Sequence, residues 1–254
     1  MRHGFSLVEL SIVLVILGLL TGGILGGQSL IRAAEMRSVS TEYQRYIAAT
    51  QTFRDKYFSL PGDMASATQF WGAAHATPAT CVTTQGTGTQ TCNGDGNGRV
   101  LPSTGSAEHV RYWQHMANAG LIEGTYTGVD ATASVPSVIG GTNIPRSRLN
   151  NASWHVWDWG TNYTGSTAVF QIDYNNSYYF GTQATNSYPY IAVIKPEELW
   201  NIDTKMDDGK PAQGKVVANR IATCTDAADS TSLNANYLLS SSSIGCSAIF
   251  RMVF

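Results

Sequence analysis

From Leu10 to Ile31 the chain carries no charged side chain. A run of that length crosses a bilayer as a helix, which takes about 20 apolar residues. A secretory signal peptide fits poorly, because its apolar region spans about 7 to 15 residues and closes on a small-x-small cleavage site. Anchoring through a lipidated cysteine is not expected either, since the first cysteine is Cys81. This segment is expected to meet a membrane, and the remaining chain must fold beside it.

Glu9 sits at the start of this segment, where a carboxylate inside a membrane helix costs about 2.5 kcal/mol or more. Something must compensate it. The first ten residues, Met-Arg-His-Gly-Phe-Ser-Leu-Val-Glu-Leu, resemble the N-terminus of type IV pilin and type II secretion pseudopilin precursors. They hold a short basic leader, a glycine, a phenylalanine, and a glutamate at the fifth position counted from that phenylalanine. The resemblance implies that a membrane peptidase cuts between Gly4 and Phe5 and methylates the new amino group of Phe5. Arg2 then keeps the leader cytoplasmic, as the positive-inside rule requires. Cutting at Phe5 leaves an ammonium at the head of an apolar helix. In a low-dielectric environment Glu9 of one subunit can set the axial register of that amine on its neighbour.

Past Ile31 the apolar positions continue at helical spacing through Met36, Val39, Tyr43, Ile47, Thr50, Phe53 and Tyr57. Arg32, Glu35, Arg37, Glu42, Arg45 and Lys56 supply the polar positions. One helix is therefore expected from Phe5 to about Tyr57, roughly 80 Å at about 1.5 Å per residue. Half of it would lie in lipid and half on a globular head. Gly18, Gly22, Gly23, Gly26 and Gly27 interrupt it, each costing about 1 kcal/mol relative to alanine. Local unwinding and close packing against another helix both account for them. Ser59-Leu60-Pro61-Gly62-Asp63 ends the helix, and a short helix capped by Asp63 is expected through Met64, Ala67, Phe70 and Trp71 to Gly72. Residues 73–91 read as an exposed loop. Ser106 to Gly120 reads as a helix with Val110, Trp113, Met116 and Ala117 on one face, Ser106 as its cap and Gly120 as its end. A further short helix starts near Pro196.

The later part of the chain reads as short extended runs: 168–173, 178–181, 190–194, 216–221 and 247–254, separated by Asn, Gly and Ser. The predicted class is α+β and pilin-like, a long N-terminal helix packed on an antiparallel sheet with irregular insertions. The expected division is a leader at 1–4, a transmembrane assembly helix at 5–31 and a periplasmic or extracellular head at 32–254. Only 13% of residues are charged against about 25% in an average soluble domain, which suits a location outside the cytoplasm. A net charge of -2 supplies no broad positive field, so nucleic acid is an unfavoured partner. Without zinc-ligand spacing, a phosphate-cradling glycine loop or a nucleophile elbow, an enzyme is not expected.

Four side-chain groups are candidates for a special role. Cys81 with Cys92, and Cys224 with Cys246, each enclose a polar loop, and two local disulfides are the simplest of three possible connectivities. Asn93, Asp95 and Asn97 in the Asn-Gly-Asp-Gly-Asn-Gly run resemble the first half of an EF-hand calcium loop. The position of the bidentate glutamate, however, holds Thr104. Asp203, Asp207 and Asp208 form a second acidic group, expected just after the helix at Pro196. Pseudopilins carry a calcium site in a late loop of the head, so the resemblance implies Ca2+ here, against an ordinary Asp-Asp-Gly turn. Trp154, His155, Trp157, Asp158 and Trp159 form an aromatic cluster with Tyr178, Tyr179, Tyr188 and Tyr190 further on. Core packing or subunit contact is expected of it.

The resemblance implies a structural subunit of a type IV pilus-like filament or a type II secretion pseudopilus. It would be inserted in the inner membrane as a single-pass precursor and processed by prepilin peptidase. Polymerisation with like subunits would need a platform protein and a cytoplasmic ATPase. The alternative is an adhesive minor pilin that recognises a glycan, a surface or DNA.

Overall fold

The computed structural model describes residues 6–102, 107–130, 137–184, 187–219 and 221–252. The long helix α1 spans Leu7–Tyr57, 51 residues in one unbroken α-helix, or about 77 Å. Ser6 caps its start by accepting from the Val8 N–H through Oγ at 3.3 Å. Phe58 ends it in the left-handed conformation, its N–H donating to Arg54 O. The five glycines stay regular. A Cβ at Gly18, Gly22, Gly23, Gly26 or Gly27 would meet nothing within 4 Å, so nothing in this chain needs them small and their face is open to another helix.

Beyond α1 come α2 (Ala67–Trp71), α3 (Pro78–Cys81), α4 (Glu108–Asn118), β1 (Ala152–Asp158), β2 (Asn176–Thr182), α5 (Pro196–Met206), β3 (Val216–Asn219), α6 (Ile221–Cys224) and β4 (Ser247–Arg251). The strands form one antiparallel sheet in the order β1-β2-β4-β3, with Trp154 opposite Phe180, Tyr178 opposite Phe250 and Val217 opposite Ile249. The second half of α1 lies on this sheet and on α4. Tyr46 is the centre of that contact, its ring edge-on to Trp113 at 5.0 Å and Trp154 at 5.7 Å. Thr50, Tyr112 and Tyr178 join their hydroxyls in a buried cluster between α1, α4 and β2. Buried hydroxyls paired in this way avoid the desolvation cost of a lone polar group.

Helical spacing places Glu42 among the polar positions, yet it is buried against the head. Its carboxylate accepts from Trp154 Nε1 at 2.7 Å, Ser147 Oγ at 2.7 Å and the Arg148 N–H at 2.8 Å. Three donors make the burial tolerable and fix α1 to the segment before β1. The helix through residues 64–72 shortens to α2, and Asp63 does not cap it, because its two oxygens accept from Asn97 N and Gly98 N instead. The 73–91 segment is not wholly exposed: it contains α3 and buries Cys81, Val82 and Thr91. In α4, the expected cap Ser106 lies outside the described residues. Gly120 ends the helix at φ 72°, with Gly120 N donating to Ala117 O and Leu121 N to Met116 O, the Schellman arrangement.

Residues 168–173 form no strand. Val169 and Phe170 are core residues held in turns, with Tyr174 Oη donating to Phe170 O. Residues 190–194 make only isolated bridges, Ile191 to Thr182 and Ile194 to Cys246. Of the other three runs, 178–181 lengthens to β2, 216–221 contains β3 and 247–254 contains β4.

Replacing Glu42 by alanine leaves three donors without their acceptor, each costing about 1 to 3 kcal/mol when buried. A drop of about 3 kcal/mol or more in unfolding free energy is expected by denaturant melting, and a loss under about 1 kcal/mol would contradict this role.

Candidate functional site

The proposed cleavage site, Gly4 and Phe5, lies outside the described residues. Glu9 folds back on its own helix terminus, accepting from the Ser6 N–H at 2.8 Å. This is a capping box that places the carboxylate at the positive end of the helix dipole. The apolar side chains above it have no protein cover: Leu7 is 84% and Leu19 73% exposed. Among the described residues α1 is the one helix long and apolar enough to cross a membrane. A surface of this kind is unstable in water and needs lipid or other helices around it.

The exposed half ends at Ile31, and the next residue holds the head in place. Arg32 makes a two-pronged ion pair with Glu198 on α5, Nε to Oε1 and Nη2 to Oε2 both at 2.7 Å, and reaches Glu35 at 3.1 Å. Burial works to raise the Glu198 pKa, but the Arg32 fork and the Lys195 N–H hold it below the ordinary carboxylate value. The junction between apolar helix and head is thus a fixed angle.

Both disulfides join their local partners, Cys81 to Cys92 and Cys224 to Cys246. The first closes a loop of sequence separation 11 next to α4. There His115 is pinned, accepting from Gly62 N through Nδ1 and meeting Thr91 Oγ1 through Nε2, each at 3.0 Å. Burial, then the Arg111 charge, pushes His115 down to about 3, so it is neutral at physiological pH.

Two groups of carboxylates converge. Asp63, Asp95 and Glu108 each offer an oxygen within 4.8 Å of the others. Gly62 and Gly94 permit this approach: a Cβ at Gly62 would strike Glu108 O, and one at Gly94 would strike Asp63. Burial pushes Asp63 up to about 6 and Glu108 up to about 7, with the Asp95 charge adding to each. Among the described residues no cation forms a salt bridge with any of the three. The EF-hand-like loop contributes only part of its expected set. Asn93 Oδ1 accepts from Thr68 N in the first turn of α2, and Asn97 Oδ1 from Arg99 N in a local turn, while Asp95 lies with Asp63 and Glu108. The signal that could have found the pair was Asp63, one residue after the Pro-Gly turn, and Glu108, at the first turn of α4.

The second group is Asp203, Asp207 and Asp208. Its expected position after a short helix is corrected, because α5 continues to Met206 and carries Asp203 inside it. Asp203 accepts from Tyr237 Oη at 2.7 Å and Gly209 N at 3.2 Å. Burial, then the neighbouring aspartates, raises it to about 7 against those hydrogen bonds. Asp207 Oδ2 accepts from Lys215 N and Val216 N. Both groups keep unused lone pairs and have the oxygen chemistry of a calcium site.

The aromatic cluster divides between the two faces of β1. Trp154 packs on Tyr46 and Phe250, whereas His155, Trp157 and Trp159 join Tyr179 and Tyr188 on the far face. Asp158 is occupied by Arg99 at 2.9 Å and is not directed at His155. His155 is fully buried and, by burial and then the nearby His109, held well below its ordinary pKa.

Comparison with known families gives one match, the prokaryotic N-terminal methylation motif over residues 1–25, which is the prepilin cleavage motif of type IV pilins and pseudopilins. The chain therefore carries that motif on an α+β, pilin-like fold. Neither the curated proteins nor the solved structures contain a significant match.

Raised carboxylate pKa values mean that stability from this cluster is present near pH 4 and lost as pH rises toward 7. In calcium-free buffer, Glu108→Gln should therefore gain on wild type in Tm as pH goes from about 5 to about 7.5. A constant difference across that range would show that Glu108 does not carry the shift.

Proposed function

We propose that this protein is a structural, non-catalytic subunit of a type IV pilus-like filament or a type II secretion pseudopilus. It is inserted as a precursor with residues 1–4 as leader, cut before Phe5, methylated there, and polymerised through the apolar half of α1. The observation that supports this most is the uncovered apolar helix headed by the methylation motif. A monomer exposing that surface persists only in a bilayer, and a filament covers it with copies of itself. Lipid tails are as apolar as leucine, so assembly needs close packing and charge pairing beyond burial. The open glycine face of α1 and the carboxylate of Glu9 supply these. In the monomer Glu9 caps its own helix; next to the freed amine of a neighbour it exchanges that weak partner for a charged one.

Prepilin peptidase, an inner-membrane platform and a cytoplasmic ATPase are the partners this role requires. The head then lies outside the cytoplasm, where its disulfides are stable. Calcium fits the same setting. We assign the Asp63, Asp95 and Glu108 cluster as the better site, because two of its three carboxylates, Asp63 and Glu108, are buried, against Asp203 alone in the other group, which we assign as the second.

Glu9→Ala should be cut at Gly4 like wild type yet be missing from isolated filaments; equal incorporation would reject the register role. For calcium, Tm of the detergent-solubilised protein should rise by several degrees on adding millimolar Ca2+ at neutral pH, and Asp63→Asn should remove the rise. An unchanged wild-type Tm would reject both sites.

A further inference from the structure

The two edges of the head sheet present different charged groups: two arginines beside β1, and beyond β3 two aspartates with Lys210 near Asp226. Beside the β1 edge is a cleft of about 540 Å³ lined by Arg146, Arg148, Asn150, Asn151, Ser153 and Gln183 among others, with no carboxylate in its lining. Arg146 is aimed by one hydrogen bond, Nε to Gly140 O at 2.7 Å, which leaves its terminal nitrogens for other partners. The Arg148 side chain is exposed and makes no hydrogen bond or ion pair among the described residues, while its backbone N–H is held by Glu42. Two guanidinium groups in a concave site suit carboxylate oxygens, the nearby acid Glu42 being buried behind the lining and bonded to Ser147, Trp154 and the Arg148 backbone.

At the opposite edge, beyond β3, the chain leaves α6 and turns through Asp226 and Asp229, both exposed. The turn is rigid. Asp226 accepts from the Asn236 N–H at 2.6 Å, and Asp229 from the Thr231 N–H at 2.8 Å and Oγ1 at 2.7 Å. These hydrogen bonds hold both carboxylates below their ordinary pKa, so the turn stays anionic. Asp229 accepts all of its bonds through Oδ1, and its Oδ2 accepts none among the described residues.

Within one molecule the cleft and the turn cannot meet, since they flank a four-stranded sheet whose strands are about 4.8 Å apart. Between two copies placed side by side they can. A polymer needs a heterologous contact, in which one face of a subunit meets a different face of the next. We infer that the cleft beside β1, through Arg146 and Arg148, receives the Asp226–Asp229 turn of a neighbouring copy of this chain as the lateral contact between heads in the assembled polymer. The inference rests on the proposed polymerisation and adds the surface that the heads use.

The test uses full-length protein in cells that carry the assembly machinery. Among the described residues all cysteines are in disulfides, so introduced thiols are the reactive ones. Arg148→Cys combined with Ala228→Cys, treated with a short bis-maleimide, should give a ladder of dimers, trimers and longer species, and neither single variant should exceed a dimer. Arg148→Glu should lower filament yield several-fold, and Asp229→Lys in the same chain should restore part of it. Wild-type filaments with no ladder from the double cysteine variant would overturn this contact and leave polymerisation standing. A wild-type chain that forms no polymer would overturn both.

Discussion

One helix must satisfy two solvents. The first half of α1 is apolar on every side and gains nothing from the head. The second half is held to the head by polar pins set in an aromatic interface: Arg32 to Glu198 at the base, Glu42 to Trp154 and Arg148 above it, and Thr50 to Tyr112 and Tyr178 higher still. Each pin is non-local and directional. Hydrophobic packing alone would allow the helix to slide or roll on the sheet, whereas paired buried groups allow one register. An apolar rod that is rigidly oriented relative to its head is what an assembling subunit needs, because any force on the rod is passed to the head without slack.

The head is irregular, and its stability comes from local closures as well as from the sheet. The Cys81–Cys92 bridge, the His115 pins and the Gly62 turn draw a loop-rich segment onto α4. The same closure places Asp63, Asp95 and Glu108 together, with no salt-bridge partner among the described residues, beside the close backbone approaches at Gly62 and Gly94. A divalent ion would offset the charge of these carboxylates. The Asp203 group repeats this arrangement at the end of α5, and Arg32 links α5 to the end of the apolar half of α1. Both acidic groups thus sit on elements that contact α1 or its immediate partners.

Features decided locally were legible in the sequence. The charge-free run, the helical stripe ending at Tyr57, the glycine stop of α4 and the sequence-near cysteine pairs depend on neighbours in the chain. What depends on distant partners was not. Glu42 reads as a solvated position because its three donors lie more than a hundred residues away. Residues 168–173 read as a short extended run, but their backbone finds no neighbouring strand and Val169 and Phe170 enter the core from turns. Residues 190–194 are shared between Thr182 and Cys246 and join neither fully. The acidic loop at Asn93 offered a familiar spacing, yet only Asp95 of its three candidates enters the carboxylate cluster, Asn93 being taken by the start of α2 and Asn97 by a turn.

Intact mass of the native protein, taken separately from material sheared off cells and from washed envelopes, addresses the central claim most directly. The account predicts a chain that begins at Phe5 and carries one added methyl group; finding it in the sheared fraction marks a surface filament, and finding it only in the envelope marks a pseudopilus. A chain that retains Met1 to Gly4 in both fractions would contradict the account.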